Sequence, residues 1–283
     1  MHRTLLLAVM LALPAASALA QPARVTSLSA TSATSLGVGE TFTITSRVLG
    51  EVRRINVYAP PGYTGSPAAI RVPVLYMPDG GLAEDFLHVA GLVQVLVGNG
   101  TMRPMLLVGI ENTERRRDLT GPTSNDDDRK IAPRVGGSAA FRSFLRTELM
   151  PLIASRYRTT GETAIVGESL AGLFVVETFL REPALFDAYL AFDPSLWWNS
   201  SDLVDHADAL MRARGARRST LFLANSDEPV IAGLTRRLAT VLEQGEFPGL
   251  TWQYAPMPEE QHATIYHPAA LRAFRAVFKP VKP

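Results

Sequence analysis

The stretch Ala164-Ile165-Val166-Gly167-Glu168-Ser169-Leu170-Ala171-Gly172-Leu173 joins an apolar strand pattern to a helical one through a small-x-Ser-x-small turn. So tight a turn holds Ser169 in a strained conformation, with its hydroxyl exposed at the end of the strand. Gly167 and Ala171 are small because strand and helix backbones approach closely around the serine, and Gly172 follows at once. A helix that starts at the serine also turns its free N–H groups and positive dipole end toward the same point. Taken alone, the pattern equally fits a serine capping a helix after a buried strand. Its chemistry therefore depends on partners elsewhere in the chain.

A serine hydroxyl is a poor nucleophile at neutral pH and needs a base. Four histidines lie beyond residue 20. His88 and His206 fall on helical patterns among polar neighbours and read as surface positions. His262 follows the last strand-like run and is preferred as the base over His267, which opens the last helix before Pro268. The acid that orients the imidazole is expected between Ser169 and His262, just past a strand. Leu221–Ala224 leads into Asn225-Ser226-Asp227-Glu228-Pro229, so Glu228 is placed first and Asp227 second, the other of the two capping the next helix. Asp193, one strand earlier, is placed third. The oxyanion formed on attack needs two N–H donors. Leu170 supplies one, and Gly80 or Gly81 in Met77-Pro78-Asp79-Gly80-Gly81-Leu82 supplies the other.

Alternating elements position these groups. Strand-like runs cover Thr41–Arg47, Arg54–Ala59, Val74–Pro78, Pro104–Glu111, Thr163–Gly167, Ala188–Phe192, Leu221–Ala224 and Thr251–Pro256. Helical patterns cover Ala83–Val97, Ala139–Ser155, Leu170–Arg181, Ser201–Arg214, Val230–Gln244 and Pro268–Val277. Strand–helix alternation predicts an α/β domain with a mainly parallel sheet, and the two strands before any helix predict an antiparallel start. The connection from Asn112 to Ser138 shows no obvious element. It is expected at the C-terminal edge of the sheet, where such folds place ligands.

Composition limits the alternatives. The chain has 283 residues, 47% hydrophobic and 19% charged, enough for a sizeable core. Met1-His2-Arg3, the apolar run Thr4–Leu13 and Ala18-Leu19-Ala20 predict a cleaved signal peptide over residues 1–20. A Ser/Thr/Ala/Gly-rich lead-in over 21–40 and a single domain over 41–283 follow. Without the leader the chain has 27 basic and 27 acidic side chains, which argues against nucleic-acid binding. No later run approaches the ~20 apolar residues of a membrane span, so no stable membrane insertion is expected. There is no cysteine, hence no disulfide, thiolate metal site or Cys nucleophile. The expected product is exported, periplasmic or secreted.

Several stretches together resemble the esterase D-like ("putative esterase") family of α/β-hydrolases, and within it the periplasmic siderophore esterases of the enterobactin and bacillibactin type. They are Ser46–Tyr63, Val72–Gly81, Gly109–Thr120, Gly136–Tyr157, Gly167–Phe174, Asp193–Trp198 and Glu260–Leu271. The resemblance implies an α/β-hydrolase fold with a mostly parallel eight-stranded sheet flanked by helices, no large lid domain and no cofactor. It implies Ser169 as nucleophile, His262 as base, an acid near Glu228, and a small-molecule ester as substrate; feruloyl or short acyl esters and acyl transfer also occur among such proteins. Glu168 and Ala171 stand where the family more often has His and Gly, and a carboxylate at 168 is expected to disfavour anionic acyl groups. Trp197, Trp198 and Arg117 are substrate-pocket candidates against the plainer readings of core packing and a solvated face. Asp126-Asp127-Asp128 are expected to pair with Arg115-Arg116-Arg117, and no metal is expected, since their spacing does not match a calcium loop.

Overall fold

The computed structural model describes residues 36–63 and 70–280. The expected leader and most of the lead-in lie outside the described residues. Eight strands are present: β1 Glu40–Ser46, β2 Glu51–Tyr58, β3 Val72–Pro78, β4 Leu106–Ile110, β5 Thr159–Glu168, β6 Ala188–Phe192, β7 Ser219–Asn225 and β8 Leu250–Pro256. They form one sheet in the order β1-β2-β4-β3-β5-β6-β7-β8. β1 pairs antiparallel with β2 and β2 antiparallel with β4, and every later pairing is parallel. The antiparallel start and parallel remainder agree with the sequence reading.

β3, β4 and β6 are buried at every position. That is why they read as unbroken apolar runs, the mark of strands covered on both faces. Alternate side chains serve two cores. Tyr76, Ile165 and Leu221 join Phe141, Phe174, Phe179 and Leu238 on one face. Met77, Val166 and Phe222 join Phe86, Leu92 and Phe274 on the other. Helices α4 Ser138–Phe144, α5 Met150–Arg156, α6 Leu170–Arg181, α7 Asp202–Asp205, α8 Ala207–Ala213 and α9 Pro229–Gln244 accompany the first face. Helices α1 Phe86–Gly98 and α10 Tyr266–Val277 cover the second. A π turn, Leu145–Leu149, joins α4 to α5 within the segment read as one helix. No helix among the described residues is long and apolar enough to cross a membrane.

The connection from Asn112 to Ser138 differs from expectation, since it contains two five-residue helices, α2 Arg115–Leu119 and α3 Asp126–Lys130. Helices this short have no legible periodicity and are marginal alone; tertiary contacts hold them. The fully buried Arg53 of β2 lies 2.5 Å from Asp118 and 2.8 Å from Glu51, with its guanidinium 5.3 Å from the Phe141 ring centroid. This anchors α2 to the sheet. In α3, Asp126 and Asp127 pair with Arg129 and Lys130, not with the three arginines of α2.

Candidate active site

β5 delivers Ser169 to the C-terminal edge of the sheet, and α6 leaves from it at once. Ser169 has φ 59° and ψ −121°, a conformation costly for a side chain with a Cβ. Neighbouring contacts hold it there: Ser169 N–H donates to Phe192 O at 3.1 Å, and Ser195 N–H donates to Ser169 O at 3.0 Å. The small residues are steric requirements. A Cβ on Gly167 would lie 2.6 Å from the Ala171 carbonyl carbon, and one on Gly172 would lie 2.8 Å from Phe192 O. Ala171, buried against that turn, tolerates its single methyl.

His262 comes from the loop between β8 and α10. Its Nε2 lies 3.1 Å from Ser169 Oγ, and its Nδ1 lies 2.8 Å from Asp193 Oδ2. The sequence preference for Glu228 or Asp227 is therefore corrected: the carboxylate that reaches the imidazole is Asp193, at the end of β6. Asp193 is fully buried and also accepts from Ser226 N–H and Ser226 Oγ–H, both at 2.6 Å. Glu228 is engaged elsewhere. Its carboxylate accepts from Ile231 N–H at 2.7 Å and caps α9, whose first residue is Pro229. Asp227 is exposed, and its N–H donates to Glu260 O at 2.9 Å. The hydrogen bond to Asp193 raises the His262 pKa above its ordinary value, outweighing the opposing effect of burial.

The remaining histidines stay outside this arrangement. His88 is half-buried, 3.2 Å from Asp85, and its ring meets those of Tyr266 and His267. His206 and His267 are exposed.

The donors for an oxyanion separate clearly. Leu170 N–H lies in the first turn of α6, where no intrahelical acceptor exists. Gly80 N–H is spent on Ile110 O at 3.0 Å, so Gly80 is removed as a donor. Gly81 N–H donates to the Glu84 carboxylate at 2.7 Å, a side-chain partner that also accepts from Asn112.

The pocket expectations also change. Trp198 is buried, and its indole N–H donates to Gly121 O at 2.9 Å. It also lines a cavity of 340 Å³ with Leu173, Arg142 and Glu177, while Trp197 is partly buried against the core. Arg117 is held by Glu51 and Asp118 at 2.7 Å each, which leaves it no free donor edge for an acyl group. Arg115, expected to pair with the three aspartates of residues 126–128, instead grips Asp79 with two bonds of 2.8 Å. Ser195 is a further unpredicted neighbour, its Oγ 3.4 Å from Ser169 Oγ.

Glu168 Oε1 lies 3.3 Å from His262 Nε2. Its buried carboxyl is pushed up to about 8, so it carries no full charge at neutral pH. The expected repulsion of anionic acyl groups is thereby lifted near pH 7. Glu168, Asp193 and His262 offer ligand atoms within 4.8 Å of one another. Asp193 and Nδ1 face each other as acceptor and donor, while Glu168 Oε1 stands outside that hydrogen bond.

Residues 46–244 match the family described as "Putative esterase". The ferri-bacillibactin esterase BesA of Bacillus subtilis (strain 168) is 27% identical over 261 residues, covering 82% of this chain and 88% of that protein. An IroE-like serine hydrolase from Shewanella oneidensis matches at TM-score 0.76 and 30% identity, covering 85% of this chain and 80% of that one. The siderophore hydrolase EstB from Aspergillus nidulans shares the fold at TM-score 0.72 and 22% identity, covering 90% and 99%. The chain belongs to the putative esterase family of α/β-hydrolase fold. It is a carboxylic ester hydrolase.

Proposed function

We propose that this protein is an exported serine hydrolase that opens siderophore-type esters through Ser169, His262 and Asp193. One observation carries the mechanism: the unbroken chain of hydrogen bonds from Ser169 Oγ through the two ring nitrogens to a buried carboxylate. Asp193 holds Nδ1 protonated, so Nε2 presents its lone pair to the serine. As Oγ attacks the ester carbonyl carbon, Nε2 takes the hydroxyl proton. Leu170 N–H, joined by Gly81 N–H once Glu84 turns away, stabilises the oxyanion. His262 then returns the proton to the departing alkoxide, and the alcohol leaves an acyl-serine behind. Water, deprotonated by the same nitrogen, attacks that ester; the acyl–Oγ bond breaks, Nε2 returns the proton to Ser169 Oγ, and the acid is released.

The substrate class rests on the relatives named as siderophore esterases and on Glu168 holding its proton up to about 8. Export rests on the leader pattern at the N-terminus. The test is a fluorophosphonate probe followed by mass spectrometry of the adduct. Labelling at Ser169 that is lost in His262→Ala supports the mechanism. Labelling elsewhere, or none on the folded protein, refutes it. Comparing ferric-siderophore, feruloyl and short acyl esters by kcat/KM then tests the substrate class.

A further inference from the structure

One carboxyl group at the site takes no part in the Ser169–His262–Asp193 relay. Glu168 ends β5, immediately before the serine, and its side chain is only 16% exposed. Its Oε1 sits within ion-pair distance of Nε2, the nitrogen that also faces Ser169 Oγ, but off the line of a hydrogen bond. That oxygen is cut off from solvent and has no hydrogen-bond partner.

The ionisable groups around Glu168 come from five other parts of the fold. His262 lies on the loop after β8, Arg115 on α2, Asp193 at the end of β6 and Asp79 at the end of β3. The fifth is the buried Tyr266 of α10, whose hydroxyl senses the Glu168 charge. Both basic groups are already engaged, Arg115 by Asp79 and His262 by Asp193. The two acids push the other way. Glu168 thus has no cation of its own, and burial is the main reason its carboxyl holds a proton up to about 8.

Ser169 Oγ and Glu168 Oε1 border the same ring nitrogen, so an acyl group joined to Oγ begins within a few ångströms of this carboxyl. We propose that Glu168 is the charge-selecting residue of the ester site, admitting esters with anionic acyl groups while it is protonated and turning against them once it is ionised. The proposal rests on Ser169 being the nucleophile. Ionisation of Glu168 also acts on the imidazolium and on the oxyanion. Those effects are common to every ester and cancel when two esters are compared. What remains is the repulsion between the Glu168 carboxylate and a charge on the acyl group. At partly screened separations of several ångströms this corresponds to roughly tenfold in rate.

The test uses para-nitrophenyl benzoate and its para-carboxylate analogue, a rigid pair in which the added carboxylate cannot reach its own ester. The ratio of kcat/KM, anionic over neutral, is measured from about pH 6.5 to about 9.5 with spontaneous hydrolysis subtracted. In the wild-type enzyme the ratio is expected to fall about tenfold through a midpoint near 8. In Glu168→Gln it is expected to stay flat at the wild-type acid value. A flat wild-type ratio overturns the proposal, and so does the same fall in a folded Glu168→Gln enzyme. The wild-type profile needs no variant, so it decides even where the substitution impairs folding. A merely structural Glu168 would alter both esters alike and leave the ratio unmoved. Failure of the nucleophile reading shows separately, as absence of fluorophosphonate on Ser169 or as full activity in Ser169→Ala.

Discussion

Two turns at the same edge of the sheet carry carboxylates past Ser169, and they end differently. The turn after β6 sends Asp193 inward, with φ 42°, to a fully buried position. There its carboxylate accepts from His262 Nδ1 and twice from Ser226. The turn after β7 has two carboxylates, yet neither reaches the imidazole. Glu228 closes the first turn of α9, and Asp227 faces solvent. The β7 turn serves the site through Ser226, which supplies both extra donors to the β6 carboxylate. Proximity in sequence to a strand end is therefore not enough. A buried anion needs donors converging on it, and here one turn carries the anion while its neighbour carries the donors.

Substitutions can break this division. The largest expected effect is Asp193→Asn, which keeps the shape but removes the charge that fixes the imidazole tautomer; kcat/KM should drop by about four orders of magnitude. A loss of under tenfold, with a large loss in Glu228→Gln, would return the role to the β7 turn. Asp193 also holds the His262 proton on, and the imidazole must be neutral to act as base. Activity should therefore fade with acidification around a midpoint above the ordinary histidine value of 6.5. The residual activity of Asp193→Asn should show that midpoint moved down. A pH–rate profile of each protein checks the direction.

Ser226→Ala leaves the anion in place and removes one of its donors. A loss of roughly tenfold to a hundredfold in kcat/KM is expected, in line with about 1.5–3 kcal/mol for a hydrogen bond to a charged group. A stopped-time ester assay separates this from the wild-type rate. Glu168→Gln sharpens the contrast with a third carboxyl, one whose buried Oε1 has no donor. Its folded pKa is raised from 4.5 to about 8, so the folded state binds more protons than the unfolded state between those values. Wild-type stability from this group thus falls as pH rises across that interval, and Glu168→Gln should gain Tm, by a few degrees at about pH 9 and less at about pH 6. The smallest effect is on activity in Glu228→Ala, expected to stay within about twofold while stability falls by about 1 kcal/mol from the lost cap. Urea unfolding alongside the ester assay reads both.

Much of the fold was legible because its central strands β3, β4 and β6 are buried on both faces and its long helices carry clear apolar periods. The same holds for Ser169. Gly167, Ala171 and Gly172 are local requirements of a tight turn, and a tight turn is written in adjacent residues. The short helices α2 and α3 were not legible, since a buried arginine fifty and more residues upstream holds the first against the sheet. Arg117 looked available for the same reason: its partner Glu51 lies on β2, far away in the chain.

The amino-acid sequence by itself determined the strand–turn–helix around Ser169, the order of the elements and the loop that bears His262. These depend on patterns only a few residues wide. The tertiary structure alone decided which carboxylate meets the imidazole, which glycine N–H is tied to a backbone carbonyl, and that Glu168 holds its proton up to about 8. Each of those depends on what surrounds a polar group in space. A carboxylate's role is set by the donors and the water it can reach, and those come from turns that are distant in sequence and adjacent only after the sheet has formed.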